Sequence, residues 1–343
     1  MSIRQPTVFG RTLLTQRDFS KVNFRDLTFR TINDPIVHYA FGRSGSEEVL
    51  TNFINAVLSD KGETTLIEKV TIKNPFDVRR FKNDKQIVVD IRAEDKQGRT
   101  YDVEFQVLPH TSFMERCLYY WGRIFDSQID KGTAYNKLSP VISIILTDFQ
   151  LSDHLEALQT NIKTRVHSKF MICERDMPEV VLTDCFQMHV IQLPKTLDAE
   201  SLAGVGPELS QWLKYFGFPL KTREETMREA ISQNGAVATA FGDYVTFQED
   251  PQLRELAKEA ERNLKDIMDE LQVREDKGRT EGSTNTAIEM IKQLFTMRFG
   301  SLDTTTEEAL NKKAERSIDQ TERVRLTTLV MNCASPEDFR RDL

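Results

Sequence analysis

Two acids and an amide, Asp90, Glu104 and Gln106, are the residues whose types and spacing point to chemistry. They lie within residues 87–108, where Ile87, Val89, Ile91 and Ala93 alternate with polar positions, and Tyr101, Val103, Phe105 and Val107 do the same. A two-residue apolar period is that of a half-buried strand. Between the runs, Lys96-Gln97-Gly98 fits a three-residue hairpin loop that ends on a left-handed glycine and closes Asp95 against Arg99. Counting outward from that closure pairs Arg92 with Asp102, Ile91 with Val103, Asp90 with Glu104, Val89 with Phe105 and Ile87 with Val107. A slip of one residue would oppose apolar to polar positions along the hairpin. Directly opposed Cβ atoms lie roughly 5 Å apart, and like charges there destabilise a sheet unless positive charge sits between them. A divalent cation would supply that charge. Gln106 shares the face of Glu104, so its amide could orient water or meet the metal. The plain alternative is that both acids are merely solvated on a polar sheet face.

The elements around the hairpin decide between these readings. Ser112 and Glu115 have the spacing of a capping box, and Phe113, Met114, Cys117, Leu118, Trp121, Ile124, Phe125 and Ile129 then recur at helical spacing. Residues 138–146 form a short, nearly continuous apolar run, as expected of a strand covered on both faces. Upstream, Ser46 precedes a helical stripe of Val49, Leu50, Phe53, Ile54, Val57 and Leu58, and residues 66–76 suit a first strand. Downstream, residues 166–173 and 186–193 suit two further strands. Residues 209–216 form a short amphipathic helix that Gly217-Phe218-Pro219 breaks.

This ordered set resembles the recombination-promoting nuclease and transposase family of the PD-(D/E)XK nuclease superfamily. The pieces that carry the resemblance are Asp34-Pro35 with Phe41-Gly42, the helix through Phe53-Ile54-Asn55-Ala56-Val57-Leu58, Val89-Asp90-Ile91, Val103-Glu104-Phe105-Gln106, then Arg116, Tyr120, Gln128, Gly132 and Tyr135, and Pro140-Val141-Ile142. The resemblance implies an α/β fold with a restriction-endonuclease-like three-layer core, ordered α-β-β-β-α-β around a mixed sheet, and a mainly helical C-terminal region. It implies a Mg²⁺-dependent DNA endonuclease, with Mn²⁺ substituting, active in recombination or mobile-element DNA transactions. On that reading Asp90 and Glu104 hold the metal, Glu48 is the nearest residue for an assisting glutamate, and Gln128 stands beside the acids. Arg116 and Tyr120 support the site or touch DNA. Gln106 occupies the place of the superfamily's lysine, an E-X-Q variant. Losing a cation beside the developing oxyanion predicts either slow chemistry or a replacement cation. Glu47 and Glu48 also have a simpler role, favouring the macrodipole of the helix they begin. Arg79, Arg80 and Lys82, just before the hairpin, suit phosphate contact or a solvated turn equally.

Composition bounds the rest. The 343 residues exceed one ordinary core. A net charge of -7 argues against a surface coated for nucleic acid, although residues 1–150 carry roughly 21 basic and 19 acidic side chains. Four cysteines and five histidines are scattered without zinc-ligand spacing, which suits a reducing compartment. His38 and His110 are the histidines nearest the hairpin and helix, and a structural role suits both. No run approaches the ~20 apolar residues of a membrane span, and no signal-peptide core is present, so a cytoplasmic protein is expected. Gly42-Arg43-Ser44-Gly45 lacks the ending of a phosphate-cradling loop. The sequence divides into a nuclease-like domain over 1–220, a charged helical segment over 221–275, a linker over 276–286 and a small helical domain over 287–343. Leu253, Leu256, Ala260, Leu264, Ile267 and Leu271 fall short of a sustained coiled coil but suit helix packing, within the chain or in a homo-oligomer. The competing function class is a catalytically weak nuclease-fold scaffold whose acidic helical half binds protein partners.

Overall fold

A computed structural model describes residues 18–64, 66–75, 90–109, 112–129, 134–151, 165–197, 202, 204–314, 320–333 and 335–343, with the backbone alone described for residues 90, 271, 274–284, 314, 320 and 321. Among these residues six strands, β1 (Val70–Ile72), β2 (Asp90–Asp95), β3 (Thr100–Gln106), β4 (Val141–Thr147), β5 (His167–Met171) and β6 (Phe186–Gln192), form one mixed sheet in the order β1-β2-β3-β4-β6-β5. β1, β2 and β3 run antiparallel, β3, β4 and β6 parallel, and β5 closes the far side antiparallel to β6.

The β2–β3 hairpin adopts the register that its alternation and turn dictate. Asp90 opposes Glu104, Ile91 opposes Val103 and Arg92 opposes Asp102. Gly98 has φ of 81°, the left-handed conformation that favours glycine. Its N–H donates to the Asp95 carbonyl at 3.1 Å, and the Asp95 N–H to the Arg99 carbonyl at 3.1 Å. The buried Asp95 carboxylate then gathers four donors: the N–H groups of Gln97 (2.9 Å) and Arg99 (3.0 Å), Arg99 Nε (2.7 Å) and the Tyr101 hydroxyl (3.0 Å). Burial, reinforced by the Asp95 charge, pushes the Tyr101 hydroxyl above its ordinary range, so it remains a donor. The pairs involving Ile87 and Val89 lie outside the described residues.

Helices cover both faces. On one, Ile91, Ala93, Tyr101, Val103, Phe105, Ile142, Ile144 and Leu146 pack into the main core with α1 (Glu47–Asp60), α3 (Pro207–Phe216), α4 (Glu224–Gln233) and α5 (Gly235–Glu249). Rings dominate there: Phe41 stacks on Phe216 at 5.5 Å, and Phe105 lies 5.3 Å from Phe216. α1 is fastened to β1 by its own side chains, since Asn55 exchanges two hydrogen bonds with the Ile67 backbone and Thr51 Oγ1 accepts from Val70 N–H. On the other face α2 (Phe113–Asp126) sets Phe113 and Cys117 over Ile145, Met188 and Val190. The expected three-layer α/β architecture is therefore present.

Several details differ from the sequence expectation. Neither Ser46 nor Ser112 caps its helix through its side chain. β1 is shorter than residues 66–76. The core does not close near residue 220. The charge-rich composition of 221–261 conceals an apolar face, Met227, Val237, Phe241, Tyr244, Phe247 and Leu253, that joins the main core, and the Tyr244 hydroxyl donates to the Phe29 carbonyl at 2.7 Å. The first compact unit accordingly runs to Glu261. Residues 276–286, expected as a linker, are helical within α6 (Pro251–Phe299), because most of their residues tolerate a helix and the two glycines cost it only about 1 kcal/mol each. The second unit, residues 262–343, has a core of its own, with Ile288, Ile291 and Phe295 meeting Leu310 of α7 (Thr304–Ala314), Leu326 and Val330 of α8 (Gln320–Asn332) and Phe339 of α9 (Pro336–Asp342). α6 ends at Gly300, with φ of 88°, as anticipated; α9, started by Ser335 accepting from Asp338 N–H, was too short for its periodicity to reveal.

Two tests follow from these fastenings. Asp95→Ala strands the buried Tyr101 hydroxyl and frees the loop, so it should cost about 2–4 kcal/mol in urea unfolding, while Tyr101→Phe, which removes the donor as well, should cost about 1 kcal/mol. Equal costs would show that the carboxylate does not organise the loop. The second concerns buried histidines. Asp60 accepts from His167 Nδ1 (2.7 Å), Lys61 (2.7 Å) and Gly206 N–H (2.5 Å), and His167 Nε2 meets His189 Nδ1 at 2.9 Å. Burial opposes ionisation of Asp60, but these bonds outweigh it and hold the carboxyl below its usual range. Burial pushes both imidazoles below theirs, against the pull of Asp60. An unfolded histidine binds a proton near pH 6.5 that the folded one refuses, so stability is complete above that pH and declines as pH falls below it. The melting temperature should drop between pH 7.5 and 5.5, and drop less in His189→Phe; a flat profile would contradict this account.

Candidate active site

The α2-facing side of β3 carries Asp102, Glu104 and Gln106 in a row, set by the pleat to alternate with the core residues Tyr101, Val103 and Phe105. Register places Ser143, Ile145 and Thr147 of β4 beside them on one flank and Arg92 and Asp90 of β2 on the other. Glu104 is only 7 % exposed. A carboxylate taken that far out of water needs charge and hydrogen bonds around it. Gln106 Nε2 donates to Glu104 Oε1, and the Arg116 guanidinium of α2 stands 3.6 Å from the same oxygen. Asp102, also buried, lies 3.9 Å from Arg92 Nε, the cross-strand pair that the register anticipates. Cys117 shows how closely α2 approaches the acids. Burial, with the negative charges of Glu104 and Asp102, pushes its thiol up to about 12, so it stays protonated.

The structure brings some of the sequence candidates together and separates others. Asp90 faces Glu104 across the hairpin by its backbone register. Gln106 and Arg116 both converge on Glu104. Tyr120 lies one turn beyond Arg116 on α2, with the guanidinium 5.9 Å from its ring centroid. Gln128 does not reach the acids. Its amide is fully used as a clamp, donating to the Ser139 carbonyl at 3.0 Å and accepting from Ser139 N–H at 2.8 Å. That clamp lies at the Thr100 end of β3, where Thr100 N–H donates to the Pro140 carbonyl, four residues or ~13 Å along the strand from Glu104. Glu48 is exposed and lines a surface groove with Thr51, Asn52, Asn55, Glu68 and Lys69, a groove that contains neither Glu104 nor Gln106. Its place suits the macrodipole reading. Arg79, Arg80, Lys82 and His110 lie outside the described residues, and His38 is buried among core residues.

One neighbour of the site escaped the sequence reading. Asp148, the residue after β4, donates its N–H to the Gln106 carbonyl at 2.9 Å, and its carboxylate accepts from Arg30 (2.5 Å) and Lys221 (3.2 Å). Burial opposes its ionisation, but the Arg30 and Lys221 contacts hold the carboxyl below its usual range. The one available signal was an acid just past the carboxyl end of a buried parallel strand, the end at which sites of open α/β sheets gather. Its partners, 118 and 73 residues away, leave no trace in local pattern.

The donor set suits a hard divalent cation. Two carboxylates are a sufficient protein contribution for Mg²⁺, which retains most of its water, whereas zinc favours nitrogen and sulfur. Among the described residues no three His, Cys, Asp or Glu side chains gather to hold a metal, and the backbone register sets Asp90 opposite Glu104. A family model described as PD-(D/E)XK nuclease family transposase matches residues 31–274, spanning the whole sheet, the site and α1 to α5. The chain belongs to that family. No curated protein and no solved structure matches it.

The reassignment of Gln128 is testable. Gln128→Ala leaves both Ser139 backbone groups without their partner and should destabilise the fold by about 1–3 kcal/mol. Any catalytic rate, measured per folded molecule below the melting transition, should stay within about twofold of wild type. Loss of rate at full folding would return Gln128 to the site.

Proposed function

We propose that this member of the PD-(D/E)XK nuclease transposases is a divalent-metal-dependent DNA endonuclease working through Asp90, Glu104 and Gln106. The observation that supports the reading above all is the in-register opposition of Asp90 and Glu104, with Glu104 buried, Gln106 hydrogen-bonded to it and Arg116 in an ion pair with it. A divalent cation, when bound, supplies Lewis-acid stabilisation of the charge that builds on the phosphate. Asp90 and Glu104 would hold it, Mg²⁺ by preference and Mn²⁺ as a substitute. The Gln106 amide, fixed beside Glu104, would orient the water that attacks the phosphorus in line. A new P–O bond forms as the attacking water gives up a proton to solvent, the scissile ester bond breaks, and the departing alkoxide takes a proton from solvent.

Arg116 supplies a fixed positive charge on the face where the superfamily has a lysine and this chain has Gln106. A preorganised cation there stabilises the developing oxyanion without reorganisation. Arg116 also brings positive charge to 3.6 Å from Glu104, part of what an opposed Asp and Glu require. Recombination or mobile-element DNA is the setting that family membership favours.

Purified protein with supercoiled plasmid and Mg²⁺ or Mn²⁺ tests the reading. Asp90→Asn and Glu104→Gln should each abolish nicking, with a parallel mock purification to exclude contaminants, and Asp90→Asn should also remove the Mn²⁺-induced rise in melting temperature. Gln106→Lys should retain or raise nicking. Activity should fade steeply as salt rises, because few basic groups carry the DNA contact. Wild-type rates in both acid variants would end the assignment, and absence of any metal effect on wild type would favour the scaffold function instead.

A further inference from the structure

One face of α2 remains outside the core although it begins at the site. Arg116, Tyr119, Tyr120 and Arg123 stand at i, i+3, i+4 and i+7, the spacing that puts four side chains on a single helical stripe. The adjoining face of the same helix, about a quarter turn away, buries Phe113, Cys117 and Ile124. The stripe is open: Tyr119 is 60 % exposed and Tyr120 39 %, and the Arg116 side chain is 36 % exposed. Its members are nonetheless organised. The two rings lie 5.8 Å apart, Arg123 sits 6.0 Å from the Tyr119 centroid and Arg116 5.9 Å from that of Tyr120. Arg116 at its head reaches Glu104.

We infer that this stripe is the entry surface for single-stranded DNA, with unpaired bases stacked on Tyr119 and Tyr120 and the backbone led by Arg123 and Arg116 towards Glu104. The inference rests on the endonuclease reading and names the substrate class of that site. Two neighbouring rings flanked by cations offer a strand stacking surface for its bases and charge for its phosphates. The π-faces of bases are available in a single strand and hidden in a duplex. Guanidinium groups beside the rings add cation–π attraction and pair with phosphates. Charge bears on the choice as well. Duplex binding draws most of its affinity from phosphate contacts, and this stripe offers two arginines for them. Stacking supplies affinity that does not depend on a broad positive patch.

The test uses full-length protein in metal-free buffer with EDTA, and fluorescein-labelled 20-nucleotide single strands or the matching blunt duplex, followed by anisotropy at low salt. The single strand should bind at least tenfold more tightly than the duplex. Tyr119→Ala/Tyr120→Ala should weaken single-strand binding about tenfold or more while leaving the duplex within about twofold. Tyr119→Phe/Tyr120→Phe keeps the rings and should bind within about threefold of wild type; both positions are exposed, and circular dichroism confirms folding. Preference for the duplex, or an alanine variant that binds like wild type, overturns the inference. So does an alanine variant that splits a wild-type dimer on size exclusion while binding DNA unchanged, since the stripe would then join two copies of the chain. Metal-dependent nicking without single-strand preference removes this inference and leaves the endonuclease reading. Single-strand binding without nicking by any metal does the reverse.

Discussion

A carboxylate buried in the middle of a sheet is the constraint to which the rest of the site answers. Glu104 has given up nearly all its water, and a lone ionised group so placed would become protonated or unfold its surroundings. What surrounds it comes from three parts of the fold. Gln106, carried two residues on by the same strand, and Arg116, delivered by the helix that roofs that face, stabilise it, whereas the hairpin sets Asp90 opposite, a like charge that adds to the cost. Arg116 and Asp90 come close to Glu104 only if the packing of α2 and the hairpin register are correct. The polar constellation is therefore a product of the tertiary fold rather than of any local segment.

The sheet keeps stability and chemistry on opposite sides. One face is filled by aliphatic and aromatic side chains and is sealed by helices from both before and after it in sequence. On the other, the apolar cover of α2 stops over β4 and β6, and the β2–β3 half is polar. The change takes place within single strands, by the alternation of the pleat, so the residues that anchor the fold and those of the candidate site are immediate neighbours in sequence and point apart in space.

Sequence pattern reached the parts of this arrangement governed by short-range rules. The loop Lys96-Gln97-Gly98, the register from Asp90 to Asp102, the buried strand and the stripe of α1 depend on periods of two and 3.6 residues and on the backbone freedom of a single glycine. Contacts that depend on where the chain returns were beyond it. Gln128 has the polarity expected of a site residue, yet α2 ends so that its amide meets Ser139 instead. Asp148 stands beside Gln106 only because β4 lies parallel to β3, and Arg30 and Lys221 reach it from opposite ends of the first unit. The helices after residue 221 join the core through faces interleaved with glutamates and arginines, and average composition obscures such faces. The opposition of Asp90 and Glu104 was legible because a hairpin, the most local long-range contact a chain can make, fixes the register of both.

The three residues that join β2 to β3 act as a parity setting for the molecule. Adding or removing one residue in that loop would shift the strands by an odd number and exchange the two faces of one arm. The acids would turn toward the aromatic core, and the apolar residues toward solvent, with no change in the composition of either strand. Drift in the identities at Lys96 and Gln97 is harmless by comparison, since Asp95 grips the loop through backbone N–H groups as well as side chains. Length, the left-handed Gly98 and the Asp95–Arg99 contacts are thus what this turn must keep.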